Sequence, residues 1–188
     1  MISETRGGPL DEADDRIVAG RAADGDIEAF AVLVRRYTPM MRACVHRMLG
    51  SNAEVDDVLQ ESFIVAWQRL EELEDPGKAK SWLMRIASRK AVDRLRARRP
   101  QTDLADVEPE TEEHDGPERR AEARAELEAL GRALAALPER QRQGWVLREL
   151  GGCSYEEIAE EMGEPVSTVR GLLARARKDI IVRMEEWR

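Results

Sequence analysis

An all-α fold of two small helical domains is predicted for this chain, and three features of its 188 residues predict it. Aromatic residues make up only 4% of the sequence and charged residues 36%, a balance typical of helical bundles, since strands favour aromatic and β-branched side chains. Apolar residues recur at three- and four-residue spacing, which indicates amphipathic helices. An acidic stretch with three prolines divides this pattern into two parts.

The first predicted domain covers residues 14–99 and follows a polar tail over residues 1–13. Gly50 ends its first apolar stripe as a typical helix stop, and Asp75-Pro76-Gly77 is a strong turn signal after the second stripe. A third helix is predicted from about residue 79 to 98. The side chains expected to form the core of this domain are Phe30, Leu33, Val34, Tyr37, Met41, Cys44, Val45, Met48, Val55, Val58, Leu59, Ser62, Phe63, Ala66, Trp67, Leu70, Leu83, Ala87, Ala91 and Leu95.

The acidic stretch covers residues 100–118, where eight acidic residues stand among almost no large apolar side chains. Such a segment cannot bury enough surface to fold alone, so it is predicted to be a flexible linker. A second helical domain is predicted over residues 119–188. It begins with a helix to about residue 136, which a break at Pro138 separates from the next helix.

The end of the chain has the pattern of a helix-turn-helix. Ser154 and Glu157 have the spacing of a capping box, which marks a helix start. Gly163 suits the end of that helix, and Pro165 suits the first turn of the last helix, which is predicted to reach about residue 187. Two helices joined by a tight, glycine-containing turn are typical of DNA-binding proteins.

The last helix is predicted to have a DNA-binding face opposite its apolar stripe. Small residues let a helix sit deep in a major groove, and basic side chains reach base edges and phosphates. A structural hairpin with a solvated basic face is the alternative, but the caps, small residues and basic flanks together favour DNA binding. The residues on this face are Ser167, Arg170, Gly171, Ala174, Arg175 and Lys178.

The distribution of charge supports a nucleic-acid partner, although the net charge is −8. Residues 78–99 carry nine basic groups and one acid, whereas residues 101–118 carry eight acids and no Lys or Arg. Cations on the third helix suit DNA phosphates, and Trp82 suits an unstacked base, although a core position for Trp82 is an equal alternative. The candidate contacts are Lys78, Lys80, Trp82, Arg85, Arg89 and Arg96.

The second helix is predicted to expose a polar face that includes one apolar residue. This face carries Asp57, Gln60, Glu61, Ile64 and Gln68. An isoleucine ringed by carboxylates is typical of a docking surface for a basic protein. A charged outer face with one stray isoleucine is an equal alternative.

Catalysis and metal binding find little support in the sequence. No base stands beside a nucleophile in a recognisable motif, and there is no glycine-rich phosphate loop. Cys44 and Cys153 stand far apart among apolar neighbours, which predicts core residues and not a zinc site. No apolar run is long enough for a signal peptide or membrane span, so we expect no cofactor, no metal, no membrane insertion and a cytoplasmic location. The side chains weighed as metal ligands or nucleophiles are Asp56, Asp57, Glu61, Ser62 and Cys44.

Several motifs, in the order of the chain, resemble those of one protein family. Together they span about residues 20–180 and resemble the bacterial RNA polymerase sigma factors of the small, two-domain extracytoplasmic-function (ECF) class. The motifs are Asp24-Gly25-Asp26 with Ala29-Phe30, EVDDVLQESF over 54–63, SWLMRIA over 81–87 with AVDRLR over 91–96, LPER over 137–140, SYEEIA over 154–159, VSTVR over 166–170 and ARAR over 174–177.

The resemblance implies a dissociable initiation subunit without enzymatic activity of its own, acting in a stress or envelope response. Its implied partners are core RNA polymerase, through the clamp helices of the largest subunit and the flap of the second-largest, promoter DNA and, in many members, an anti-sigma factor. Polymerase binding falls on Asp56, Asp57, Gln60, Glu61 and Ile64, −10 binding on the third-helix candidates, and −35 binding on Ser167, Thr168, Arg170, Gly171, Arg175 and Lys178.

Several alternatives stay open on the sequence alone. The chain could be a helix-turn-helix regulator that works without polymerase, with residues 1–100 as a sensing or dimerising domain, or an enzyme that uses helical carboxylates and a metal. The acidic linker could be a solvated tether or could lie in the positively charged nucleic-acid channel of polymerase. Many family members have Asn at the position of Arg89 and Ser at that of Gly171, so the preferred promoter is not implied.

Overall fold

The computed structural model describes residues 10–98 and 117–187, and within these ranges it contains eight α-helices and no β-strand. The predicted all-α class is confirmed. The helices of the first half are α1 (Asp15–Ala23), α2 (Ile27–Leu49), α3 (Val55–Gln68) and α4 (Ala79–Ala97), with 3-10 turns at Leu70–Glu72 and Pro76–Lys78. The helices of the second half are α5 (Pro117–Ala135), α6 (Glu139–Glu149), α7 (Tyr155–Met162) and α8 (Val166–Trp187).

The two segments predicted to be flexible fall mainly beyond these ranges. Residues 1–9 of the predicted tail and residues 100–116 of the predicted linker lie outside the described residues, as do both interpretations of the acidic linker. Helix α5 begins at Pro117, two residues before the predicted start of the second domain at residue 119, because proline is favoured in the first turn of a helix.

Local chemistry sets the helix ends where the sequence predicts them. Gly50 ends α2 in the left-handed region at φ 69°, and Gly163 ends α7 at φ 63°. Ser154 and Glu157 form the predicted capping box: the Ser154 hydroxyl accepts from the Glu157 amide at 3.1 Å, and the Glu157 carboxylate accepts from the Ser154 amide at 2.7 Å. These caps fix where the helix-turn-helix begins and turns.

The first four helices bury the predicted apolar stripes around α2. Leu33, Met41 and Leu83 are almost fully buried in this core. Trp67 differs from the prediction, because its ring is 39% exposed and stacks at the rim against Phe30, with 5.0 Å between ring centroids. Trp67 lies in the last turn of α3, where the apolar stripe of that helix extends beyond the edge of the core.

The second half of the chain packs against the first half mainly through α6, with α5 against α2, while α7 reaches α4 through polar side chains. Val146 of α6 is fully buried and belongs to the core of the first domain. Helix α4 is buried on several sides, because Ser81, Met84 and Ser88 are covered as well as the predicted core residues. The remaining core of the second half lies between α7 and α8, and between α5 and α8.

Candidate polymerase and nucleic-acid interfaces

The outer face of α3 presents a polar surface with an isoleucine in it. Asp57 and Gln60 are exposed, and Ile64 is 49% exposed between them and the end of the helix. Asp56 lies at the edge of this face, where it accepts a hydrogen bond from Arg42 of α2 at 2.5 Å. Four of the five candidate polymerase contacts predicted from the sequence therefore lie on accessible surface.

Glu61, the fifth candidate, is engaged within the first domain. Its carboxylate pairs with Arg94 at 2.8 Å and with Lys90 at 3.4 Å, both on α4. Glu54, seven residues earlier in the chain, pairs with Arg94 and Arg98. Burial would raise the pKa of Glu54, but the hydrogen bonds and charges of the two arginines outweigh it and lower that pKa below its usual value. These carboxylates hold α3 against α4.

The basic face of α4 lies against the acidic side of α7. Arg85 donates to Glu160 at 2.8 Å. Arg89 holds Glu161 through two parallel hydrogen bonds, of 3.0 and 2.8 Å. These ion pairs between α4 and α7 were not predicted, because the acids of α7 have the pattern of an ordinary solvated face.

The first turn of α4 also contacts α7, through Glu157. Lys78 lies 3.7 Å from the Glu157 carboxylate, and the Ser81 hydroxyl donates to it at 3.2 Å. Burial would raise the pKa of Glu157, but the Ser154 amide, the Ser81 hydroxyl and the nearby cations outweigh it, so its pKa lies below the usual value. Glu157 therefore caps α7 and binds α4 with the same carboxylate.

The other three candidates on α4 lie in different surroundings. Trp82 is only 9% exposed and belongs to the core, so it cannot stack on a base in this conformation. The Lys80 ammonium lies over Gly152, 3.7 Å from where a Cβ on that glycine would be. Arg96 is exposed and, with Arg89, lines a cleft of about 860 Å³ between α4 and the second half of the chain.

Two buried hydrogen bonds reinforce the contact between the halves. Gln143 of α6 donates to the Ser88 hydroxyl of α4 at 3.3 Å, and these side chains are 8% and 0% exposed. The Cys153 thiol lies 3.8 Å from the Ser81 carbonyl oxygen. Burial first, and then the charge of Glu157, raise the pKa of Cys153 to about 12. Cys153, like Cys44, is a buried free thiol, as the sequence predicts.

The outer face of α8 is open to solvent. Val169, Leu173 and Ala176 are buried on the inner face, as the apolar stripe predicts. On the outer face, neither Arg175 nor Lys178 forms an ion pair with any part of the chain that the structure describes. The predicted DNA contacts that are exposed are Ser167, Arg170, Arg175 and Lys178, while Thr168 and Gly171 are partly buried beside them.

An aromatic ring supports one cation of this face. The Arg170 guanidinium lies 5.5 Å from the centre of the Tyr155 ring, and that of Arg148 lies 4.9 Å from it. Cation–π contacts of this kind restrict where an arginine points. Tyr155 was missed by sequence reasoning, because its position as the first residue of α7 gives no sign of a partner on α8.

The described residues offer little for other chemistry. Among residues 10–98 and 117–187, His, Cys, Asp and Glu side chains do not gather in threes that could hold a metal ion. Within the same ranges, no helix combines the length and the apolar character needed to cross a bilayer.

Comparison with protein families finds two matches along the chain. The Sigma-70 region 2 family matches residues 33–101, which contain α3 and α4. The Sigma-70 region 4 family matches residues 127–180, which contain the helix-turn-helix. The two candidate DNA-binding helices thus fall in separate matched regions.

Whole-length relatives give the same result. The ECF RNA polymerase sigma-E factor of Salmonella typhimurium is 37% identical over 180 residues, which cover 90% of this chain and 94% of the relative. The RNA polymerase sigma factor CnrH of Cupriavidus metallidurans is 33% identical over 175 residues, covering 88% and 92%.

Two solved structures share the fold. The structure of CnrH in complex with the cytosolic domain of CnrY superposes with a TM-score of 0.65 at 30% identity, covering 92% of this chain and 97% of that one. The sigma factor RpoE of Bartonella quintana, in complex with the anti-sigma factor NepR, superposes with a TM-score of 0.66 at 20% identity, covering 85% and 98%.

Proposed function

The chain belongs to the ECF class of RNA polymerase sigma factors, and on this premise we propose how its surfaces share the task of promoter recognition. A sigma factor binds core RNA polymerase and directs it to promoters. We assign polymerase docking to the outer face of α3, the −10 element to the basic face of α4 and the −35 element to the outer face of α8. The chain is proposed to act in the cytoplasm without catalytic activity.

The exposed face of α8 carries the proposal. It combines small residues with unpaired cations on the second helix of a capped helix-turn-helix, the geometry in which a helix enters a major groove. Arg170, near the N-terminal end, is assigned to a base edge, whereas Lys178 lies two turns further on and is assigned to a phosphate.

The −35 assignment is tested with a promoter library randomised over that region and transcribed by reconstituted holoenzyme. Arg170→Ala should relax preference at one base pair and cost about 1–3 kcal/mol. Lys178→Ala should weaken all sequences alike and lower the salt slope by about one. If Arg170→Ala keeps the wild-type base preference while Lys178→Ala changes it, the orientation of α8 assigned here is wrong.

The polymerase assignment is tested by binding the full chain to core polymerase. Ile64→Ala should weaken binding by about 1–4 kcal/mol, the usual range for truncating a central anchor of an interface. Ile17→Ala is the matched control, because Ile17 is 57% exposed in the same domain but lies on α1. Asp57→Lys tests the charge of the face better than Glu61→Lys, since Glu61 pairs with Arg94 inside the domain. Equal affinities for Ile64→Ala and Ile17→Ala would remove α3 from the interface.

The partner chains in the related structures suggest one further partner. CnrH, 30% identical to this chain in the superposed structures, is bound there to the cytosolic domain of CnrY. We propose that an anti-sigma protein binds this chain as well.

A further inference from the structure

The contact between α4 and α7 joins the surface assigned to −10 DNA to an acidic helix of the same chain. Two cations of α4 and one from the turn just before it meet three carboxylates of α7: Arg85 with Glu160, Arg89 with Glu161 and Lys78 with Glu157. Arg85 and Arg89 stand four residues apart, as do Glu157 and Glu161, so each set lies on one side of its helix. The two faces therefore match in sign, and each of these acids is paired with a different cation.

The contact is built into the fold and is not a chance meeting of surface charges. The Glu161 side chain is 3% exposed and that of Glu157 is 14% exposed. Beneath them lies the buried Gln143–Ser88 hydrogen bond, with Ser88 fully buried. Separating the halves would leave these groups without their present partners, and buried polar groups specify an arrangement because losing a partner is costly.

Carboxylates of α7 and phosphates of DNA require the same donors. Arg89 grips Glu161 with the parallel pair of N–H groups that it would offer to a phosphate. These two N–H groups cannot hold both anions at once. Trp82 is also buried in this conformation, so Arg85, Arg89 and the Trp82 ring are not fully available to DNA.

We propose that, in the free protein, the acidic side of α7 covers the DNA-binding face of α4, and that the −10 strand and α7 compete for the same cations. This inference rests on the function proposed for α4. Binding of DNA then requires α7 to leave, and the apparent affinity for DNA falls by the fraction of molecules in which it has left. The first helix of the −35 motif thereby controls access to the −10 surface.

The closed arrangement also contains a defect that favours release. The Arg85 Nε is buried and makes no hydrogen bond within the described residues. An unpaired buried donor costs free energy, and that cost disappears when the halves separate and water reaches the group. A cover held by partly exposed ion pairs and carrying such a defect can be displaced by a competing polyanion.

The test uses the full chain and removes two acids of α7 without disturbing the capping box. Glu160→Gln with Glu161→Gln deletes the partners of Arg85 and Arg89, and Gln keeps almost the same helix propensity as Glu. The matched control is Glu126→Gln with Glu156→Gln, which makes the same change in net charge at exposed positions that do not touch α4. Thermal unfolding of both double variants checks that the fold persists.

Two measurements are made on each protein. The first is the affinity for a fluorescent, A/T-rich single-stranded DNA of about 12 nucleotides. The second is the rate at which a thiol reagent labels Cys153, located by mass spectrometry. This thiol packs in the core of the second half and also contacts Ser81 of α4, so separation of the halves removes the part of its cover that α4 supplies and should raise the labelling rate. We expect the Glu160/Glu161 variant to bind the strand about tenfold more tightly than the control and to label faster at Cys153.

Three other results would overturn the proposal, each for a different reason. Equal affinity and equal labelling in the two variants would show that α7 does not cover α4 in solution. Tighter DNA binding without faster labelling would show that the acids act by repulsion and not as a cover. Faster labelling with no detectable DNA binding by either variant would show that the contact opens but that α4 is not a DNA surface, which locates the failure in the proposed function.

Discussion

The two basic helices of this molecule, α4 and α8, have similar cations, but the surroundings of those cations differ. On α4, Arg85 and Arg89 are held by carboxylates of α7, whereas on α8 the outer cations point into solvent. Helix α7 contacts both of these helices. Its acids face α4, and its first residue, Tyr155, supports Arg170 of α8. Equal charge on two helices therefore does not mean equal readiness to bind an anion.

The difference has a physical basis in how each helix is buried. Helix α4 is covered by its own domain and by the second half of the chain, so its cations sit where competing partners can be fixed by packing. Helix α8 is buried along one stripe only, which leaves a wide outer face. Under the assignments proposed above, the −35 surface is thus preformed, while the −10 surface must be uncovered.

The open state of α8 is best tested at its centre, where the largest effect is expected. A Cβ at Gly171 would lie 3.4 Å from the Arg175 Nη1, so bulk there is added directly to the proposed contact surface. Gly171→Leu should displace the helix and lose more than one base contact, each worth about 1–3 kcal/mol, measured as −35 duplex affinity. Gly171→Ala is the control, and it should raise helix stability by up to about 1 kcal/mol. Unchanged duplex binding by Gly171→Leu would move the DNA face elsewhere on α8.

The covered state of α4 can be compared with α8 by removing one arginine from each. Arg175→Ala should lower the salt slope of duplex binding by about one, as expected for a lost phosphate contact. Arg89→Ala should lower the slope of single-strand binding by clearly less than the value of about 0.7 expected for one free phosphate contact on a single strand, because Arg89 exchanges Glu161 for a phosphate and releases fewer counterions. Both slopes come from affinities measured over a range of salt concentrations. A change of about 0.7 for Arg89→Ala would mean that Glu161 does not compete with DNA for this arginine.

The role of Tyr155 gives a smaller effect that sharpens the description of α8. Tyr155→Leu removes the ring beneath Arg170 and should reduce discrimination at the base pair assigned to that arginine by about 0.5–1 kcal/mol. Tyr155→Phe keeps the ring and should retain the preference. The readout is base preference in the randomised −35 library, which a general loss of stability would not alter at one position only. A loss of preference in Tyr155→Phe would assign the effect to the hydroxyl instead.

The smallest expected effect is the pH dependence of the Glu157 contact. Because the pKa of Glu157 is lowered below its usual value of 4.5, its contribution to stability is complete above that value and is lost as the pH falls through the lowered pKa. The free energy of unfolding, measured by denaturant between about pH 6 and pH 3.5, should therefore fall less steeply in Glu157→Gln than in the wild type. Identical slopes would show that the carboxylate gains nothing from Lys78 and Ser81.

Sequence reasoning predicted the elements of this fold better than their assembly. The stops at Gly50 and Gly163 and the capping box at Ser154 follow from short-range chemistry, which a single segment contains in full. The exposed outer face of α8 follows from the buried stripe opposite it. Each of these features requires knowledge of only one helix.

Features that depend on two distant segments were missed. Glu160 and Glu161 have the pattern of a solvated face, and nothing within α7 shows that Arg85 and Arg89 lie across from them. The ion pair between Glu61 and Arg94 was likewise not predicted, although Glu61 keeps 46% of its side chain exposed on the face assigned to polymerase. The one available signal was that the acids share one side of α7 and the cations share one side of α4, which becomes informative only when the two helices are already known to be neighbours.

The Gln143–Ser88 hydrogen bond has a consequence for anyone who builds hybrid transcription factors by exchanging halves between relatives. Because Ser88 is fully buried and its partner comes from α6, a transplanted second half with an apolar side chain in place of Gln143 would strand the serine hydroxyl. Such a hybrid would keep both proposed DNA-binding helices, α4 and α8, but would lose this contact between the two halves. The first property to change would be the background activity of the hybrid and not its promoter choice. The two halves should therefore be exchanged together with the residues that form the interface between them.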